Sequence, residues 1–503
     1  MHRRHFLRSA TAAALAAPFA TPFAAQAATS AWQRPADFGS HAALQPLRGR
    51  QGQDLACDNA ALEGRLPDGL RGTLFRNGPA LFERAGRRYE HWFDGDGMVQ
   101  AWRFDGEGRV SHRGRFVQTA KFRAEQAAGE FLVPAYGTAI APKRPVRGAD
   151  DMNVANTSVL PLPGRLLALW EGGSAYALDR ETLATQGPVT WSPELAGMPF
   201  SAHPKVEPDG TVWNFGTGMG KMVLYQLSPA GELKRHAVFD MPPCAMVHDF
   251  AVSQRYLAFL LPPLTLDIAA LRAGESIVGA QRWQAPGQAA TTRVLVIDKA
   301  DFERRRVFEL PAEMVFHFAN AWDDGDWLTL DYVRSADAPV GEQRRRSIVH
   351  GDYAPTVAST AAFLQLNLRS GQHRVERGRD ALEFPRVDPR VVGQRHRFVF
   401  FPAALGAGSE QRFGFDSLLR LDRERGTREA FTFGPDAVVE EHVFVPRPGS
   451  TREGDGWLVG AGYDLRWRAS FASVFDAEHI ADGPLAVARL PYAVPHAFHG
   501  QFA

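Results

Sequence analysis

Tight turns set the first constraint on this chain. Pro208-Asp209-Gly210, Asp323-Asp324-Gly325 and Gly454-Asp455-Gly456 each stand between apolar or aromatic runs, which is the chemistry of hairpin connections. Helical periodicity is scarce. Residues 264–290, with Leu266-Asp267-Ile268-Ala269-Ala270-Leu271, are one of the few places where a short helix fits. A chain of 503 residues made of so many short strands is all-β, and at this length a propeller suits it better than a sandwich.

The hairpins share a plan. His203 precedes Pro204-Lys205-Val206, a turn and Thr211-Val212-Trp213. His248 precedes Asp249-Phe250-Ala251-Val252, a turn and the run Tyr256 to Leu260. His317 precedes Phe318-Ala319-Asn320-Ala321, a turn and Trp327-Leu328-Thr329-Leu330. Glu383 and Glu441 open similar units, and Glu171 closes the strand Leu166 to Trp170. In order, Glu171, His203, His248, His317, Glu383, Glu441 and His499 recur at intervals of 32 to 69 residues. Seven anchors at blade-sized spacing predict a seven-bladed β-propeller, in which residues far apart in sequence meet at one axis.

The ends and the composition bound the function. Arg3-Arg4-His5-Phe6-Leu7-Arg8, the alanine-rich stretch Ser9 to Ala24 and Ala25-Gln26-Ala27 resemble a twin-arginine export signal with a small-x-small cleavage site. Residues 1–27 are therefore read as a signal peptide, residues 28–503 as one catalytic domain, and the destination as the periplasm. Charge is nearly balanced, which gives no general affinity for nucleic acid. The two cysteines, Cys57 and Cys244, cannot build a thiolate metal site, although an oxidising compartment would let them pair. Metal chemistry must therefore use histidine and carboxylates. The 34 phenylalanines against nine tyrosines supply apolar aromatic surface for a core or a substrate tunnel.

Most of the 16 histidines show no pattern; His91, His112, His236, His350, His373, His396, His442 and His479 are read as ordinary. His203, His248 and His317 stand at repeat anchors, and His496 and His499 compete for a fourth place. Imidazole suits Zn, Cu, Fe and Ni, so ligand type does not choose the metal. Four neutral imidazoles leave a divalent ion with its full charge. Outer carboxylates that take the remote N–H groups would balance it, a role open to Glu171, Glu383 and Glu441.

Taken together these segments resemble the carotenoid cleavage oxygenases over nearly the whole of residues 28–503. The motifs are Gly72-Thr73-Leu74-Phe75-Arg76-Asn77-Gly78-Pro79, His91-Trp92-Phe93-Asp94-Gly95-Asp96-Gly97-Met98, Leu169-Trp170-Glu171-Gly172-Gly173, Ser201-Ala202-His203-Pro204, Met246-Val247-His248-Asp249-Phe250, Phe316-His317-Phe318-Ala319-Asn320-Ala321, Glu383-Phe384-Pro385-Arg386, Glu441-His442-Val443-Phe444-Val445-Pro446-Arg447 and Phe498-His499-Gly500. Their joint order makes the match specific. The Asp94-Gly95-Asp96-Gly97 segment lacks the spaced oxygen ligands of a calcium loop and is read as a hairpin turn.

The resemblance implies a seven-bladed propeller with a dome of loops and short helices over the metal face. It also implies one Fe(2+) per subunit, held by His203, His248, His317 and His499 and backed by Glu171, Glu383 and Glu441. The implied reaction is cleavage of a C=C bond by O2 to two carbonyl products. The implied partners are an apolar small molecule, a carotenoid or apocarotenoid, and dioxygen. The stilbene-cleaving branch is the alternative. It grips a phenol with a tyrosine and a lysine, for which Tyr136 and Lys143 are candidates. A non-catalytic periplasmic binding propeller is the reading from another class. The apolar stretch Tyr256 to Leu266 is either a membrane-contact patch or buried packing.

Overall fold

The computed structural model describes residues 42–48, 53–284, 290–335, 348–349, 359–409 and 412–503. The signal-peptide reading of residues 1–27 and the ordinary reading of His350 lie outside them. Alternating apolar side chains and glycine-bearing turns fold the chain into seven antiparallel sheets around one axis.

The first blade mixes distant parts of the chain. Its order is Leu55–Cys57, Val110–Phe116, Asp96–Phe104, Gly72–Leu81 and, innermost, His499–Phe502. The next four blades each use one contiguous stretch. They begin on Ser158–Leu162, Lys205–Val206, Ala251–Val252 and Met314–Asp324 and end on Thr185–Pro188, Leu233–Asp240, Arg305–Pro311 and His373–Arg377. The sixth has Phe398–Ala403, Ser417–Asp422 and Thr427–Thr432, with Leu382 and Arg386 bridging its inner edge. The seventh runs from Ala437–Pro446 outward through Gly456–Asp464, Ala469–Asp476 and Ala486–Arg489 to Ala61–Gly64.

The ring therefore closes twice. His499–Phe502 joins the first blade and Ala61–Gly64 joins the seventh, so the two blades interlock. One apolar cluster spans that junction, with Leu74, Met98 and Trp102 packed with Val443, Trp457 and Val474, all nearly inaccessible to water. A fully buried aromatic side chain contributes about 2–3 kcal/mol from burial alone, so this seam is a real energetic clasp.

Among the described residues helix is confined to short pieces. Residues 264–290 hold Ile268–Arg272 and Ile277–Ala280, capped by Asp267 and Ser276, with residues 285–289 outside the description. Among the described residues no helix is long and apolar enough to cross a membrane. The apolar stretch from Tyr256 resolves into Tyr256–Leu261, buried between blades, and Leu264–Leu266, paired with Gln281–Trp283. Tyr256–Leu261 and Leu264 are thus buried packing, while Thr265 and Leu266 are half-buried at the cavity wall. The hairpin expected at Asp94–Gly97 is instead a 3-10 turn, Trp92–Asp94, which leads into Asp96–Phe104. Its acids are needed inside: Asp96 meets Arg84 and Lys121 at 2.8 Å, and Asp94 accepts from the Gly137 N–H at 2.8 Å.

Candidate metal centre

Each blade sends one anchor toward the axis, and all seven sequence-derived candidates meet there. His203 and His248 precede the short inner strands Lys205–Val206 and Ala251–Val252. His317 lies inside Met314–Asp324, and Glu441 lies inside Ala437–Pro446. Neither opens its strand as the repeat pattern suggested, because both ladders break there. Register shifts fall on either side of Phe318 and between Val439 and His442. A bulge turns a side chain that strict alternation would send to a sheet face toward the axis instead. Glu171 follows Arg165–Leu169, Glu383 sits between two bridges, and His499 starts the innermost strand of the first blade.

The four imidazoles are buried, 5 to 9 % exposed, and one nitrogen from each falls within 4.8 Å of the others. Nδ1–H of His248 donates to Glu171 Oε2 at 2.5 Å, that of His317 to Glu383 Oε2 at 2.5 Å, and that of His499 to Glu441 Oε1 at 3.0 Å. Each bond commits the proton to Nδ1 and leaves the Nε2 lone pair facing inward. His203 Nε2 and His248 Nε2 stand 2.9 Å apart, and His317 Nε2 is buried with no hydrogen-bond partner. Three inward Nε2 lone pairs, that of His317 with no hydrogen-bond partner, are costly without a cation between them. The donor set therefore fits a divalent metal of the imidazole-binding kind.

Electrostatics favours the neutral, ligating form for two of the rings. Burial, reinforced by the neighbouring His248, holds His203 well below the usual imidazole range. Burial pulls His499 down to about 3 despite Glu441. At His248 burial also favours the neutral ring, but Glu171 outweighs it and the pKa is raised.

Three residues without an assigned role complete the centre. Arg76, fully buried, reaches Glu441 at 3.1 Å and Glu440 at 2.8 Å. Arg386 donates to Glu441 Oε1 at 2.9 Å and to the Gly500 carbonyl at 2.7 Å. Burial would raise the Glu441 pKa, yet Arg386, His499 and Arg76 together hold that carboxyl far below its usual range. Phe384 stacks on His317 at 5.2 Å and meets His499 edge-on at 5.1 Å, from a backbone with φ of +52°. That left-handed conformation costs a bulky residue about 1–3 kcal/mol and is kept where the surroundings demand it. Here it aims Glu383, whose carboxylate also takes the Phe384 N–H. An arginine in the strand Gly72–Leu81, where it is the one charged residue, was the sequence signal for Arg76.

His496 lies outside the four-histidine cluster. Its Nε2 donates to the Ala43 carbonyl at 2.8 Å and its Nδ1 faces Glu440. His442 turns away from the axis and bonds Ser473 Oγ at 2.8 Å. Cys57 and Cys244 are free thiols in separate clusters and form no disulfide.

A cavity of about 750 Å³ opens onto His248, His317 and His499, with Ile268 and Leu271 of the short helix Ile268–Arg272 in its wall. Apolar side chains dominate its wall, among them Trp92, Phe93, Trp170, Phe215, Met246 and Phe316. Among the described residues that line it, none is lysine or arginine. Tyr136 is present, its hydroxyl accepting from Gln281 Nε2 at 3.0 Å. Lys143 is not; it sits half exposed on the surface, paired with Glu130.

Comparison with known proteins places these features in context. The family model described as retinal pigment epithelial membrane protein matches residues 49–503. The apocarotenoid-15,15'-oxygenase of Synechocystis is 32% identical over 485 residues, covering 91% of this chain and 96% of that protein. Lignostilbene-alpha,beta-dioxygenase isozyme III of Sphingomonas paucimobilis is 28% identical, covering 93% and 97%. The crystal structure of a cobalt-substituted Synechocystis apocarotenoid oxygenase superposes with a TM-score of 0.83 at 28% identity, covering 94% of this chain and all of that one.

Proposed function

This chain belongs to the retinal pigment epithelial membrane protein family, the carotenoid cleavage oxygenases, and on that premise we propose that it is an iron(II) dioxygenase cleaving a C=C bond of a carotenoid or apocarotenoid. One observation carries the reading: a buried ring of four histidines, backed by three glutamates, faces a large apolar cavity. One C=C bond is lost and two C=O bonds form, with both oxygen atoms drawn from O2. Iron(II), when held by His203, His248, His317 and His499, supplies the binding and activation of dioxygen.

The chain's own residues do the rest. Glu171, Glu383 and Glu441 hold three imidazoles in the ligating tautomer. Their charges offset part of the charge of a divalent ion, as four neutral rings cannot. The aromatic wall holds a polyene by dispersion and excludes water, so neither a general base nor a nucleophile is called for. Met219 and Ile268, each about half exposed, give the mouth an apolar rim suited to receiving substrate from a lipid surface. The cavity's lack of a described cation disfavours an ionised phenol. The stilbenoid alternative is supported by the likeness to lignostilbene dioxygenase and, in the cavity wall, by Tyr136.

Export is part of the proposal, supported by Arg3-Arg4 and Ala25-Gln26-Ala27. The intact mass of the cell-derived protein would show cleavage after Ala27. The activity is tested by supplying apocarotenals of graded length under O2 and reading product masses. Near-stoichiometric iron and paired aldehyde fragments are expected. An iron-free protein, or turnover that persists without oxygen, would sink the reading.

A further inference from the structure

The bulge that delivers Glu441 to the axis delivers Glu440 with it. The two carboxylates then treat the segment 496–500 in the same way. Glu441 takes the His499 ring at 3.0 Å and the Gly500 N–H at 2.7 Å. Glu440 takes the His496 ring at 3.3 Å and the Ala497 N–H at 3.3 Å. Arg76 stands between them, one guanidinium nitrogen on each acid, and reaches the Ala497 and Phe498 carbonyls at 3.4 Å. The outer pair continues further. His496 Nε2 donates to the carbonyl of Ala43, in the 3-10 turn Ala42–Arg48. That turn packs Leu44 and Leu47 beside Phe413, which the His496 ring also touches at 5.2 Å and which lines the substrate cavity.

We propose that Glu440, Arg76 and His496 form a latch that ties the strand bearing His499 to the turn Ala42–Arg48, so that His496 is a positioning residue for metal retention. This inference rests on the four-histidine metal site. His499 is held through a single short strand. His499–Phe502 pairs with Gly72–Leu81 on one side only, and four residues of ladder resist fraying weakly. Fraying swings His499 off the axis and opens the centre. The latch fixes the strand just before its ligand, where Phe498 N–H and the Asn77 carbonyl make the adjoining backbone bond at 2.9 Å. Charge-assisted contacts in a buried setting are among the stronger polar interactions, which suits them to a hinge point.

The test measures iron release from the purified holoenzyme into a ferrous-specific chelator, beside the thermal midpoint of each iron-free protein. His496→Leu and Glu440→Gln should release iron about tenfold faster than wild type, the scale of effect expected for residues supporting ligands from outside. His496→Gln keeps a donor near the Nε2 position and should stay within about threefold. Two substitutions at different points of the latch allow for one that fails to fold. Wild-type release rates in both His496→Leu and Glu440→Gln would overturn the latch. So would faster release that merely follows a lower iron-free midpoint. His496→Gln releasing as fast as His496→Leu would overturn the link to Ala43. A wild-type protein that holds no iron would instead overturn the metal reading itself.

Discussion

His203 enters the ring with no glutamate hydrogen-bonded to it among the described residues, whereas His248, His317 and His499 each lean on one. Replacing a glutamate removes an orienting acceptor but leaves four donors in place. Glu383→Gln should therefore weaken iron binding about 10–100-fold, measured by competition with a chelator, without abolishing it. His317→Ala removes a donor outright. It should leave the purified protein without stoichiometric iron while far-ultraviolet circular dichroism stays that of a β protein. Arg76 poses a different case, because it is buried between two acids. Arg76→Met removes the guanidinium that both acids share, leaving Glu441 to Arg386 and Glu440 to His496, and should cost about 3–5 kcal/mol in urea unfolding. A loss below about 1 kcal/mol would mean that water replaces the guanidinium.

Elements add constraints that single residues do not show. A Cβ on Gly500 would lie 2.4 Å from the Phe75 carbonyl oxygen, backbone that cannot step aside. Gly500→Ala should push His499–Phe502 off its neighbour and lower iron content as sharply as loss of a ligand, by metal analysis of the purified variant. The seven anchors and the propeller were legible in the sequence because each inner strand begins near a polar residue followed by an apolar run and a glycine turn. His203-Pro204-Lys205-Val206 shows this plainly. The bulges were not legible. Strict alternation would put Glu440 and Glu441 on opposite faces, and only the slip between Val439 and His442 turns both to Arg76. That His499 joins the cluster while His496 is engaged by Ala43 and Glu440 was not legible either, because those partners lie far along the chain and carry no local signal. Lys143 lies outside the cavity wall, paired with Glu130 thirteen positions away, a contact that the sequence does not signal.

The whole molecule carries buried histidines beyond the metal ring. Burial lowers His112 to about 3 and His442 to about 4, from an ordinary 6.5. Between about pH 6.5 and 4 the unfolded chain takes up protons that the folded one refuses. Stability should therefore fall as pH drops through that window, by up to about 1.4 kcal/mol per pH unit for each ring. Asp422, held at about 2 mainly by Arg397, adds a loss of the same sign below its unfolded value of 3.8. Urea midpoints at pH 7.5, 6 and 5 should decline in order; a flat series would show that these rings ionise inside the fold. The double closure of the ring bears on time as well as on energy. Arg76 meets the Ala497 carbonyl across 421 positions of chain, a loop whose closure costs about 5 kcal/mol of entropy against about 1 for a hairpin. Five blades can form from local pairing before that contact rewards its cost, so the first and seventh should assemble last. During refolding, tryptophan fluorescence should recover ahead of iron uptake, and the metal should arrive with the slowest phase.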